Sequence, residues 1–225
     1  MIARARYLLL TSARTRTPLA PLAITVFWVF GTFFYPNNEV GGTWGQTGVT
    51  CCALAAWLVG AILAGEPAAQ AEMATTAVGG LRGRLGLEGV LVLMVAPLLA
   101  LPFLGWPLLL HALGQADVFK PPALPGDVAG AALVHVCCGI LGGAVAVLFA
   151  PPRVTRRATA TGAVLASLLV LAGLGTLAGP IAAAQAISDA PRGTVNGSEI
   201  GACLTCLALA AAAFSAAAIW SRRAS

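Results

Sequence analysis

The side chains in this 225-residue sequence best suited to chemistry are thiols and one imidazole: Cys51-Cys52, His135, Cys137-Cys138 and Cys203-x-x-Cys206. If they converged they could hold a soft metal ion or a haem, or the thiols could form a disulfide. The same residues have a plainer reading, since cysteine is a small apolar side chain that packs well between helices. Successive residues on a helix point about 100° apart, so neither Cys-Cys pair chelates alone. The chain is therefore expected to hold no metal, and His135, Cys137 and Cys138 are the residues a metal or haem would use. No nucleophile stands beside a base, so the chain is read as a non-enzyme.

The elements that must position these residues follow from composition. Hydrophobic residues make up 59% of the chain and charged residues 9%, with a mean hydropathy of +0.89. Crossing a hydrocarbon core of about 30 Å takes about 20 apolar residues as a helix. Six runs of that kind occur, at 18–36, 45–64, 87–110, 128–150, 161–184 and 200–220. The expected fold class is all-α: one polytopic domain of six transmembrane helices, with residues 1–17 as a cytoplasmic or interfacial segment. The first run is aromatic and "FFYPNN" offers no small-residue cleavage site, so it is kept as a span and not read as a leader.

Six spans put both termini on one side. Eleven arginines fall on that side and only Lys120 and Arg192 on the other, so the positive-inside rule makes the termini and the 66–86 and 151–160 segments cytoplasmic. The arginines are scattered over four segments without interleaved aromatics, which argues against a nucleic-acid partner. Phe33, Phe34, Tyr35, Trp44, Trp106 and Trp220 read as interfacial anchors. The spans carry no Asp, Lys or Arg in their interiors, which disfavours an ion-coupled carrier. A phosphate-cradling GxxxxGK[ST] loop is also missing, so energy for uphill movement would have to enter from another polypeptide.

A docking surface for that polypeptide is legible in "EPAAQAEMATTAVGGLRGRLGLEG", residues 66–89. Pro67 suits the first position of a helix and Gly79 the position past its end, so Pro67 to Val78 reads as a short helix. Glu72 and Met73 are its only large central side chains. Gly80, Gly83, Gly86 and Gly89 follow at every third residue, as a hinge or a close-packed helix start, with Arg82 and Arg84 able to reach lipid phosphates and Glu88 able to pair with one of them. Pro97, Pro102 and Pro107 should bend or break the third span. Gly175-x-x-x-Gly179 and the glycines at 139, 142 and 143 allow close helix approach, within one chain or between two.

This layout resembles the ABC-2 type permease subunits of bacterial ABC exporters. The likeness rests on the basic "RARYLLLTSARTRTPL", the six spans, the cytoplasmic termini, and the inner segment "TTAVGGLRGRLGLEG" after the second span. The resemblance implies a coupling segment at 66–86 in which Glu66, Gln70, Glu72, Met73, Thr75, Thr76, Arg82 and Arg84 meet an ATPase subunit, with a lesser contact through Arg153, Arg156 and Arg157. It implies two ATPase copies that bind ATP and Mg, a second permease that is the same or related, no cofactor in this chain, and a bacterial cytoplasmic membrane. The short outer segment "ISDAPRGTVNGS" departs from relatives that carry re-entrant outer helices there. The expected cargo is lipophilic: a drug-like compound, a lipid or a modified peptide. The other function considered is a small intramembrane redox, metal or haem protein using His135 and the cysteines.

Overall fold

A computed structural model describes residues 8, 10, 16, 18–34, 38–66, 68–114, 118–119, 122–150, 157–173, 175 and 177–223. Among them the chain forms helices α1 (Leu19–Phe33), α2 (Val40–Ala64), α3 (Ala68–Ala77), α4 (Leu81–Ala112), α5 (Pro125–Leu148), α6 (Arg157–Gly173), α7 (Pro180–Ser188) and α8 (Gly197–Arg223). The described residues hold no strand, only an isolated bridge between Asn38 and Phe119. Four helices are long and apolar enough to cross a membrane: α2, α4, α5 and α8; α1 and α6 are apolar but shorter.

The central helix is α5, which packs on α2, α4 and α8. It reaches them because its glycines remove the side chains that would hold the backbones apart. A Cβ on Gly142 would collide with the carbonyl of Cys52 on α2, and one on Gly139 would press on Ala96 of α4 at 3.0 Å. The small residues at 139, 142 and 143 thus serve packing within the chain. Asp127 ties the start of α5 to the turn before α8, accepting from Arg192 Nε at 3.0 Å and from the Gly193 amide at 2.6 Å. Glu199 and Asn196 cap α8 reciprocally: Glu199 Oε2 accepts from the Asn196 amide at 2.8 Å, and Asn196 Oδ1 from the Glu199 amide at 2.9 Å.

The expected span at 161–184 is not one helix. It ends at Gly173, and α7 begins separately at Pro180. Gly175 and Gly179 have φ of +55° and +86°, which a helix cannot contain, so they are a break and not a GxxxG packing face. The break is internal, because Gly179 faces Leu209, twelve residues and about 18 Å into α8. From there α7 runs antiparallel to α2: Ala184 lies against Gly45, and Ile187 against Gly41.

The third expected span is longer than 87–110, since α4 starts at Leu81 and continues through all three prolines. Each proline leaves the carbonyl four residues earlier without its helical donor. For Pro107 that carbonyl is Phe103 O, and Trp44 Nε1–H of α2 donates to it at 3.4 Å. Trp44 is fully buried, with Phe119 at a ring separation of 4.8 Å and Phe119 in turn 6.0 Å from Phe33. Trp44 is therefore a core residue and not the interfacial anchor its sequence position suggested. Trp44→Phe should cost about 1 kcal/mol when Pro107 is present and much less in a Pro107→Ala background, where the substituted residue restores the backbone donor; a double-mutant cycle on the thermal midpoint in detergent reads the coupling.

Candidate functional site

The 66–89 segment forms an elbow between two long helices. The expected short helix is present as α3, and its stop is a Schellman turn: the Gly80 amide donates to Thr75 O at 2.9 Å and the Gly79 amide to Thr76 O at 3.2 Å, with Gly79 at φ +85°. The reversal into α4 is so tight that a Cβ on Gly83 would overlap the carbonyl of Val78.

Beneath the elbow, Arg84 is clamped by two carboxylates. Its Nη2 lies 2.6 Å from Glu66 Oε2 at the end of α2, and its Nε donates to Glu88 Oε1 at 3.1 Å, one turn further along α4. The side chains of Arg84, Glu66 and Glu88 are 1%, 2% and 0% exposed. Desolvating these charges is costly, and removing the one cation, Arg84, would leave both carboxylates uncompensated. The clamp thus fixes the end of α2 to the start of α4, and α3 is carried between two points that cannot drift apart.

The expected contact residues divide accordingly. Glu72, Met73, Thr76 and Arg82 are exposed, Met73 by 63%. Gln70 and Thr75 are half-buried, and the Thr75 hydroxyl turns back to donate to Ala71 O at 2.7 Å. Glu66 and Arg84, expected on the contact surface, are turned inward onto each other, so neither offers a face to a partner and Arg84 does not reach lipid phosphates. Glu88 belongs with them, and its spacing of four from Arg84 was the signal. Arg153, Arg156 and the side chain of Arg157 lie outside the described residues, as does most of 1–17.

Comparisons with protein families, with curated proteins and with solved structures give no match.

The thiols and the imidazole gather in the core formed by α2, α5 and α8, and all six cysteines are free and buried. His135 Nδ1 lies 2.7 Å from the Ala131 carbonyl, which can only accept, so Nδ1 carries the proton. Nε2 lies 2.9 Å from Thr47 Oγ1, whose one proton is shared between that nitrogen and the carbonyls of Thr43 and Trp44, at 3.1 and 3.2 Å. Both nitrogens of a neutral ring are engaged, and a metal at Nε2 would have to displace Thr47. Among the described residues no three His, Cys, Asp or Glu side chains are grouped so as to hold a metal ion.

A third feature is an apolar groove of about 560 Å³ between α2, the end of α5 and α6, with Trp57, Gly60, Ala146, Phe149 and Leu165 among its walls. It forms because α6 packs only lightly on the bundle.

Arg84→Ala would strand two buried carboxylates and should destabilise the fold by about 3–5 kcal/mol. The check is the denaturation midpoint of the solubilised protein, and adding Glu66→Gln with Glu88→Gln should recover most of the loss.

Proposed function

We propose that the chain is the membrane-spanning permease subunit of an ATP-driven exporter, of ABC-2 type, that moves a lipophilic compound, lipid or modified peptide. In this reading α1, α2, α4, α5 and α8 each cross the bilayer of a bacterial cytoplasmic membrane, and α6 with α7 makes one discontinuous crossing. The termini and α3 face the cytoplasm, on the side richer in arginine. A second permease subunit, the same or related, and two ATPase subunits complete the machine, and ATP and Mg bind to the latter.

The observation that carries this reading is the clamped elbow. A short helix with an exposed methionine, carried between two long helices whose ends Arg84 ties together, suits the transfer of a push from a partner into the bundle. The placement of charge agrees with it. The buried charged side chains among the described residues, Glu66, Arg84, Glu88, Asp127 and Glu199, lie just past a helix end or within about two turns of a helix start, and both ring nitrogens of His135 are engaged. Nothing described at mid-helix offers an ion-coupling carboxylate, so the drive is external. The groove, lined by apolar residues from Gly60 to Trp57 and Phe149, fits a lipophilic cargo.

An apolar anchor at the centre of an interface contributes about 2 kcal/mol or more, so Met73→Glu should weaken capture of the ATPase subunit by about thirtyfold or more. The bundle should stay folded, because Met73 is exposed. Pull-down of the tagged chain from its native host, with the thermal midpoint as control, tests this; capture of no ATPase by the unaltered chain would overturn the reading. A Cβ at Gly60 meets only Ala146 Cβ at 3.9 Å, so Gly60→Leu should stand in the groove, leave stability unchanged and reduce transport severalfold in inverted vesicles.

A further inference from the structure

The groove between α2, the end of α5 and α6 has a length, a width and a charge environment that together bear on what fills it. Along α2 it runs from Ala53 to Ala64, eleven residues or about 16 Å. That is half of a hydrocarbon core of about 30 Å, the depth of one leaflet. Its volume of about 560 Å³ spread over that length leaves a mean cross-section of roughly 35 Å². A helix with its side chains is about 10–12 Å across and takes roughly 80–110 Å². The groove is therefore too narrow to take in a helix, and suits a thinner extended chain. It opens sideways, since Trp57 and Leu165 in its walls are 45% and 57% exposed. Beside such an opening, on a helix long and apolar enough to cross a membrane, lies lipid.

The two ends of the groove are unlike. Thr161 is the only hydroxyl in its lining, and it stands four residues into α6, at the end where α2 and α5 finish with Ala64 and Ala150. Arginines collect at that end. Arg157 opens α6 one turn before Thr161, and Arg153 and Arg156 belong to the link from α5. Phe149 of the groove wall meets Trp220 edge-on at 6.4 Å, so the last turn of α8, which carries Arg222 and Arg223, reaches the same end. Of the described acids there, Glu66 and Glu88 are held by Arg84, and Glu72 stands exposed on α3.

We propose that the groove binds one acyl chain of an anionic phospholipid from the leaflet at the elbow end of the bundle, with the headgroup phosphate at the arginine-rich mouth. The apolar walls take the chain over the depth of its own leaflet, and the excess of arginine selects the negative headgroup. The light packing of α6 on the bundle lets the chain enter sideways. This deepens the cargo part of the proposed function, narrowing a lipophilic cargo to a phospholipid. It is tested without an ATPase and without transport, so it stands or falls apart from the exporter reading.

The test uses the full-length protein in phosphatidylcholine vesicles with a rising fraction of phosphatidylglycerol that carries bromine at mid-chain, a contact quencher of indole emission. Trp57 lies seven residues, about 10 Å, from Ala64, at mid-chain depth. Its signal is the difference between the unaltered chain and Trp57→Phe. The expected result is quenching that saturates at a low phosphatidylglycerol fraction, with an affinity roughly tenfold or more above that for brominated phosphatidylcholine. Gly60→Leu fills the groove and keeps the arginines, and should return quenching by either lipid to the level its mole fraction alone sets. Arg156→Gln with Arg157→Gln keeps the groove, and should remove the preference for phosphatidylglycerol while phosphatidylcholine still quenches. The thermal midpoint in the same vesicles checks that each variant is folded. Quenching that follows mole fraction in the unaltered chain would mean boundary lipid only and would overturn the proposal. So would a preference that survives Gly60→Leu, which puts the lipid on the arginines and outside the groove. Shielding of Trp57 that grows with protein density would put a second copy of the chain there instead, and would overturn it as well.

Discussion

The arrangement depends on how closely α2 and α5 approach. In hydrocarbon one apolar helix gains little by hiding from lipid behind another, so helices hold together through dense contact and the few polar bonds they exchange. Here contact is closest where Gly142 rests on the carbonyl of Cys52, a spot with no room for a methyl group. Once that crossing is set, Thr47 on α2 comes level with His135 on α5 and makes the hydroxyl-to-imidazole bond that a looser pair would miss. The same helix face brings Trp44 to the carbonyl that Pro107 leaves bare on α4. The bond between Thr47 and His135 thus presupposes the glycine contact.

Charge is handled by the opposite strategy, at the ends. Asp127 and Arg192 fasten one end of the bundle, and Glu66, Arg84 and Glu88 the other. The two clamps differ in consequence. The Arg192 side chain is 37% exposed, so its pairing is softened by solvent and contributes little beyond holding a loop. Arg84 is desolvated, and its partners would be left as uncompensated buried charge if the elbow opened. An elbow that resists opening moves as a unit with the two helices it joins, which is the mechanical property a coupling element needs.

Much of this was legible in the sequence, and what was not has identifiable causes. The short helix at the elbow announced itself through Pro67 and Gly79, residues whose backbone preferences are local and strong. The inward turn of Glu66 and Arg84 was harder, because charge near a span end reads equally as a lipid contact or a partner contact; only the four-residue spacing to Glu88 hinted at a closed pair. The break between α6 and α7 escaped because hydropathy is blind to φ: residues 161–184 carry no charge and only Thr161, Ser167 and Thr176 as polar side chains, and Gly175 and Gly179 look the same in a helix seam as in a left-handed turn. Trp44 was misplaced for a related reason. Aromatic residues near span ends anchor at headgroups so often that a tryptophan recruited to a proline's orphan carbonyl, 59 positions away, leaves no mark in the sequence.

The cysteine pattern shows how spacing acquires meaning only when two helices are seen together. Cys137 and Cys138 diverge by about 100° around α5, so they point to different neighbours. Cys203 and Cys206 are one turn apart on α8 and diverge by about 60°. A Cys-x-x-Cys within one helix and a Cys-Cys within another are weak signals apart. In the packed bundle both sets prove to be small apolar side chains, free and buried, that let α5 and α8 close on each other.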